Sequence, residues 1–401
     1  MIKIGIIREG KTPPDTRVAL NPTQCAAVKQ GGVFEIVVES SPNRCFSDSE
    51  FRAAGIEVVT DLSDCDVLLG VKEVPISQLL SNKTYFFFSH TIKKQPYNRK
   101  LLLAVLEKNI RLLDYEVLVD AADCRLIAFG KYAGMVGAHN ALWTYAKTYG
   151  GFDLPRLTAC HEYADAVEIY DSTTFPAVKI VVTGTGRVAT GAIEVLRDMG
   201  IGYVTPEQFL ANEFPVAVFT QLNASHYVRR KDGGVFVKTE FYGQPNLYES
   251  AFEPYARAAD IFINGIFWNN DSPAFFTVEE MAQPDFRIRT IADVTCDIAP
   301  ISSVPSTVRP STIADPVYGF DPKNGEEVAP FSKDFINVMA VDNLPNELPR
   351  DASTFFGNQF LDSILHELAN EPNSQVIARG IVAQNGQLMP RFAYLADYVG
   401  V

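Results

Sequence analysis

A chain of 401 residues exceeds what one ordinary hydrophobic core organises, so two domains are expected. Its 47% apolar and 21% charged residues are the composition of a folded, water-soluble protein and exclude a disordered one. A net charge of -13 argues against nucleic acid or an anionic membrane surface as main partner, while a small anionic ligand stays open because local arginines decide that.

The chain opens on "MIKIGIIREG", a short strand-like run with no basic segment and long apolar stretch behind it. No apolar run reaches membrane-spanning length, and a cytoplasmic location is expected. Short apolar runs then alternate with helical patterns: "IKIGII", "FEIVVE", "VLLGV", "YFFFS" and "IRLLDYE" read as strands, "PTQCAAVKQGG" and "YNRKLLLAVLEKNI" as helices. That alternation predicts a parallel sheet covered by helices. Two of the strands end abruptly in ionisable residues: "DVLLGVKEVP" in Lys72 and Glu73, and "TYFFFSH" in His90. Parallel strands ending at one rim would bring Lys72 and His90 together, a common way to build an acid-base site.

From Lys131, "KYAGMVGAHNALWTYAKTYGG" reads as a helix long enough to run between two domains. A second alternating unit follows. Its strand "KIVVTG" leads through Gly184 and Gly186 into the helix "TGAIEVLRDMG". Glycines there permit a tight turn and close approach of a pyrophosphate, and the helix N-terminus supplies amide donors. Ala189 takes the place where helix and strand pack closely. Dinucleotide binding at Gly184, Gly186 and the following Arg187 is the expectation. The next strand, "VAVFTQLN", ends in Gln221 where an acid would ordinarily hold the ribose hydroxyls. Glutamine can still bond the diol, so NAD is expected, with NADP left open. "HYVRRKDGGVFVKTEF" reads as an exposed β-hairpin turning at Asp232 and Gly233. Asp293 ends the strand "IRTIADVTCD", residues 298–330 read as a long Pro, Ser and Thr-rich loop, and "RDASTFFGNQFLDSILHELAN" as a helix returning to the first domain. Six scattered cysteines without CxxC or zinc-like spacing read as free thiols, and no metal is expected.

The predicted fold is therefore α/β: two Rossmann-like domains with parallel sheets, 1–132 plus 350–401 and 133–349, with cofactor and substrate in the cleft between them. Arg17 in "DTRVALNP" follows the first strand, Glu116 ends "LLDYE", and Arg125 follows in "CRLIAFG". A guanidinium at Arg17 or Arg125 suits a two-pronged grip on a carboxylate.

The segments "REGKTPPDTRVALNP", "LLGVKEVP", "FFFSHTIKKQ", "DYEVL", "FGKYAGMVGA", "GTGRVATGAI", "RIRTIADVTCDI" and "AVDNLPNELPRDASTFF" together resemble the lysine-forming saccharopine dehydrogenases of the alanine dehydrogenase and transhydrogenase superfamily. The resemblance implies NAD-dependent oxidation of the secondary amine joining lysine to glutarate, then hydrolysis of the imine to lysine and 2-oxoglutarate. It implies Lys72 as the base for the amine, His90 as the group that activates water, and Glu73 and Glu116 as acids beside them. It also implies Arg17 and Arg125 as carboxylate grips and Asp293 as a residue near the nicotinamide ribose. Two other readings stay open: a related dehydrogenase of alanine or another imino acid, and a non-catalytic nucleotide-binding protein, which Gln221 would suit. The family carries an acid at the Gln221 position, and the hairpin at 225–241 and the loop through "PSTVRPSTIADPVYGFDP" depart from its pattern.

Overall fold

The computed structural model describes residues 1–371 and 373–400. The chain divides into two compact α/β units, Met1–Phe129 with Pro349–Val401, and Gly130–Leu348. Among the described residues no helix is long and apolar enough to cross a membrane, and all six cysteines are free thiols.

The first unit is built on an eight-stranded sheet. Its strands run in the order Gln387–Leu388, Ile381–Gln384, Arg111–Asp114, Thr84–Phe87, Val67–Leu69, Ile2–Ile6, Phe34–Glu39, Glu57–Val59. The six N-terminal strands are parallel, as burial on both faces demands. Ile2–Ile6 lies in the middle, with Ile4 level with Ile36 on one side and Val67 on the other. The chain thus builds outward in one direction, then crosses back over its first strand. Loops leaving the carboxyl ends on either side of that crossing diverge and open a crevice. Arg8 and Glu9 follow one of these ends, Lys72 and Glu73 the next.

Alternation along the strands supplies two cores. Ile4, Ile6, Ile36, Val38, Leu69 and Phe86 face the helices Pro22–Gln30 and Pro349–Phe360, while Val37, Leu68, Tyr85 and Phe87 face the helix Arg99–Glu107. The helix Pro22–Gln30 starts at a reciprocal cap: Gln24 N–H donates to the Asn21 side chain and Asn21 N–H to Gln24 Oε1, with Pro22 at the first turn. The C-terminal helix is fastened here by Val18 N–H donating to Ser353 Oγ at 3.0 Å and by Gln24 Nε2 donating to the Thr354 carbonyl at 2.8 Å. Beyond it, Ile381–Gln384 joins the sheet antiparallel to Arg111–Asp114, a strand the sequence reading did not anticipate. The signal was present: Asn385 and Gly386 both take positive φ (54° and 71°), the turn that an Asn-Gly pair favours.

The second unit has a sheet in the order Glu326–Val328, Val317–Asp321, Ile336–Met339, Thr290–Asp293, Ile261–Asn264, Lys179–Thr183, Val218–Leu222, Gly202–Tyr203. Lys179–Thr183, buried along its length, is central. Val218–Leu222 pairs beside it, with Val182 level with Gln221. The helix Gly130–Tyr149 does not link domains; it belongs wholly to this unit and lies against the helix Arg187–Asp198. Two glycines set that approach. A Cβ at Gly134 would sit 1.8 Å from the Val188 carbonyl oxygen, and one at Gly191 would sit 1.9 Å from that of Lys131.

Two expectations are corrected. Asp232 and Gly233 do turn the chain, but Val228–Arg230 pairs with Tyr248–Ser250, and Lys238–Gly243 between them is a helix. Residues 298–330 are not one loop: Val317–Asp321 and Glu326–Val328 form an antiparallel hairpin on the sheet edge, and Ser303, Val304, Ser306 and Thr307 are fully buried.

Gly134→Ala or Gly191→Ala should therefore cost about 2–4 kcal/mol of stability, since backbone rather than a pliable side chain must give way. Chemical denaturation of the second unit's tryptophan signal measures this. A midpoint equal to that of the parent would contradict the close helix approach.

Candidate active site

The strand Val67–Leu69 ends at Gly70, and the chain turns there under the control of Glu9. The Glu9 carboxylate accepts hydrogen bonds from two successive amides, Val71 N–H at 2.6 Å and Lys72 N–H at 2.9 Å. One side chain from the end of the first strand thus fixes the loop that carries Lys72 and Glu73. Burial, and then the charge of Asp15, pushes the Glu9 carboxyl up to about 8. Glu9 is the residue the sequence reading missed, because its partners are main-chain groups more than sixty positions away.

Lys72 is mostly buried among cations. Burial first, then the charges of Arg17 and Lys11, lower its ammonium from 10.5 to about 8, against the opposing pull of Glu73 and Asp15. Glu73 meets His90: Nδ1 of the imidazole lies 2.5 Å from Glu73 Oε1. Lys11 Nζ lies 3.2 Å from the other Glu73 oxygen. Burial works against ionisation of Glu73, but the His90 hydrogen bond and the charges of His90 and Lys11 win, holding its carboxyl at about 2. Glu73 is therefore ionised, and it fixes the imidazole with Nδ1 turned inward.

The backbone at His90 is left-handed, φ 52°, an unfavourable conformation for a side chain of this size. The preceding residue holds it there. Ser89 N–H and Oγ both donate to Asp114 Oδ2, at 3.0 and 2.5 Å, and Asp114 Oδ1 accepts from Glu116 N–H at 2.8 Å. Asp114 is fully buried at the end of its strand, and burial raises its carboxyl. Glu116 lies in the helical turn just beyond. Its Oε1 meets Lys93 Nζ at 3.2 Å and Arg125 Nη2 at 3.0 Å. Although burial opposes it, Lys93, Arg125 and His90 hold the Glu116 carboxyl below its ordinary range.

Arg17 is buried, with its guanidinium 4.2 Å from the centre of the Phe129 ring. Asp15 takes its Nε–Nη2 edge through bonds of 3.0 and 2.6 Å. A guanidinium carries five donors in a fixed fork, and Asp15 orients that fork. The first unit thus gathers Lys72, Glu73, His90 and Arg17 into one field of charge, with Glu116 and Arg125 beside His90.

The second unit holds Gly184, Gly186, Arg187, Gln221 and Asp293. Gly184 has φ 103°, and a Cβ there would lie 2.6 Å from the Gly265 carbonyl oxygen, so only glycine fits. At Gly186 a Cβ would meet nothing within 4 Å: the space in front of the helix Arg187–Asp198 is open. No side chain caps that helix, so its first amides face the opening. Arg187 stands exposed in the first turn. Gln221 Nε2 donates to the Gly184 carbonyl at 2.8 Å and braces the turn. An open, uncapped helix start behind a glycine turn fits a pyrophosphate. Asp293 is different. It is fully buried, with Oδ1 accepting from Asn264 Nδ2 at 2.8 Å and Cys296 N–H at 3.2 Å, and Oδ2 from Thr307 Oγ1 at 2.6 Å. Burial raises its carboxyl to about 6. It fastens the buried start of the 298–330 segment to the strand ends. Among the described residues no cluster of His, Cys, Asp or Glu is suited to a metal ion.

Comparison with known proteins bears on the fold. Residues 5–136 match the family model "Alanine dehydrogenase/PNT, N-terminal domain". The chain is 28% identical to saccharopine dehydrogenase [NAD(+), L-lysine-forming] of Emericella nidulans, over 92% of this chain and 93% of that one. It is 27% identical to alpha-aminoadipic semialdehyde synthase of Arabidopsis thaliana over 98% of this chain but only 41% of that one, so it spans less than half the length of that relative. A solved L-alanine dehydrogenase shares the fold, with a TM-score of 0.69, 16% identity, and coverage of 99% of this chain and 100% of that one.

Two measurements check the electrostatics. Because folding lowers the Lys72 ammonium from 10.5 to about 8, the folded state binds fewer protons in that window and stability rises with pH across it. Lys72→Met removes the buried charge. It should gain roughly 1–3 kcal/mol at neutral pH, and the gain should shrink between about pH 8 and 10.5; a pH-independent difference would contradict the shift. Glu9→Gln should speed amide hydrogen exchange at Val71 or Lys72 at least about tenfold, because each amide bonds its own Glu9 oxygen and glutamine keeps only one acceptor oxygen. Unchanged protection there would remove Glu9 from its role.

Proposed function

We propose that this chain, a homologue of the lysine-forming saccharopine dehydrogenases with an alanine dehydrogenase/PNT N-terminal domain at residues 5–136, oxidises the secondary amine that joins lysine to glutarate, releasing lysine and 2-oxoglutarate. The observation that carries the reading is Lys72, an ammonium lowered to about 8, next in the chain to Glu73, whose ionised carboxylate fixes the His90 imidazole.

A base that works near neutral pH needs its own proton affinity near that pH. Lys72 meets that condition and takes the proton from the substrate's ammonium, leaving the nitrogen lone pair to form the imine. NAD, which Gly184, Gly186 and Arg187 would hold at its pyrophosphate and Gln221 at its ribose, would supply the hydride acceptor. His90, with Nδ1 held by Glu73, presents Nε2 to water. It removes one proton as the oxygen adds to the imine carbon, gives it to the amine nitrogen, and takes the carbinolamine hydroxyl proton as the C–N bond breaks and the carbonyl forms. Glu73 stabilises the imidazolium formed in between. Arg17, its fork set by Asp15, and Arg125, drawn in by Glu116, take the substrate's carboxylates. Asp293 supports the nicotinamide side indirectly, through the segment it fastens. The reverse condensation uses the same groups in the opposite order.

Purified protein with NAD and saccharopine, against NAD and alanine, tests the reading. Turnover is expected with saccharopine, with kcat/KM rising as pH passes through about 8, where Lys72 becomes neutral. Turnover with alanine alone would replace it with the alanine-type reading, and NAD binding without turnover of any amino acid would leave a nucleotide-binding protein. Lys72→Met should lower kcat by about a hundredfold or more and leave NAD affinity within about twofold. Gly186→Val should do the opposite, abolishing NAD binding by filling the open space before the helix.

A further inference from the structure

The first unit has a cavity of about 220 Å³ whose lining includes none of the residues assigned to the reaction. It opens at the carboxyl ends of the first three strands, between Glu39, the segment after Glu57–Val59, and the segment Val74–Leu80. Its walls are apolar: Leu62, Leu68, Val74 and the ring of Tyr85, all buried. Its rim is polar, with Glu39, Arg8, Ser77 and Gln78.

The sheet gives this position a meaning. In a sheet whose third, second, first and fourth strands lie side by side, a nucleoside is held beyond the carboxyl ends on the second-strand side, and an acid at the tip of the second strand takes the ribose hydroxyls. The first unit has this strand order, and Glu39 is the last residue of its second strand. Glu39 Oε2 accepts from Arg8 N–H at 2.9 Å, and Oε1 forms an ion pair with Arg8 Nε at 3.1 Å. A carboxylate offers about four acceptor positions, so two hydroxyls can still be received. Gln78, packed where a Cβ on Gly10 would come within 2.4 Å of its amide oxygen, offers a donor and an acceptor to the edge of a base. A phosphate has no equivalent place. The loop after the first strand runs to Asn21 before any helix begins, and it carries Lys11, Asp15 and Arg17 instead of a glycine turn.

We infer that this cavity is a second ligand site, which takes a nucleoside of adenosine type, without phosphates, through its ribose diol on Glu39 and its base between the apolar walls. The glycine turn of the second unit is a separate site.

Calorimetric titration of the whole chain with adenosine tests this, using Glu39→Gln, Ser77→Trp and Gly186→Val. Ser77 is exposed at the mouth, so tryptophan there fills the cavity without disturbing the core. Binding should survive Gly186→Val, weaken about tenfold in Glu39→Gln, and vanish in Ser77→Trp. The sugar's hydroxyls are checked with 2′,3′-dideoxyadenosine, which should bind about tenfold more weakly than adenosine to Gly186→Val and lose little further in Gly186→Val/Glu39→Gln. Should Gly186→Val fail to fold, excess NAD blocks the glycine turn of the parent chain for the same titration. No heat up to about 10 mM adenosine, or binding that Ser77→Trp leaves untouched, would overturn the inference.

Discussion

A largely buried ammonium in the field of other cations is an arrangement that folding ordinarily avoids. Here Lys72 lies in the field of Arg17 and Lys11, and burial adds to their effect. At neutral pH the shift costs the fold up to about 3 kcal/mol, a large share of a typical domain's stability. The cost is borne because the surroundings are fixed from several directions. Glu9 ties down the loop by two amides, Asp15 orients Arg17, and Glu73 holds His90 and Lys11 close enough to keep the site from accumulating positive charge.

The second unit is governed by the opposite requirement, absence of side chain. Gly184 lets the turn pass against Gly265, Gly186 leaves room before an uncapped helix, and Gly134 with Gly191 lets two helices meet backbone to backbone. Gln221 contributes by bracing the turn from the neighbouring strand, a task its amide donor performs and an acid could not. The departure from the usual acid at that position is thus compatible with a well-formed turn.

Much of this was legible in the sequence, for identifiable reasons. Apolar runs ending in Lys72, Glu73 and His90 mark strand ends, and strand ends of parallel sheets share a rim, so those side chains come together. The glycine turn was legible because its strand and helix flank it directly. Glu9 was not, since a carboxylate bound to remote backbone amides leaves no pattern of residue types. Asp293 shows the reverse difficulty. Its strand-end position looks ligand-facing, yet Asn264, Cys296 and Thr307 enclose its carboxylate. The segment 225–241 misled through its alternation, because the true partner of Val228–Arg230 lies beyond a short helix at Tyr248–Ser250. The edge strand Ile381–Gln384 was overlooked although Asn385-Gly386 announced its turn.

The most direct examination of the central claim is the titration of Lys72 itself, followed by NMR of its side-chain amine in the ligand-free protein, with Lys72→Met assigning the signal. The account predicts a midpoint near 8. A midpoint at the ordinary value of about 10.5 would mean that the surrounding cations and burial do not act on this amine, and the chemistry assigned to it would fail.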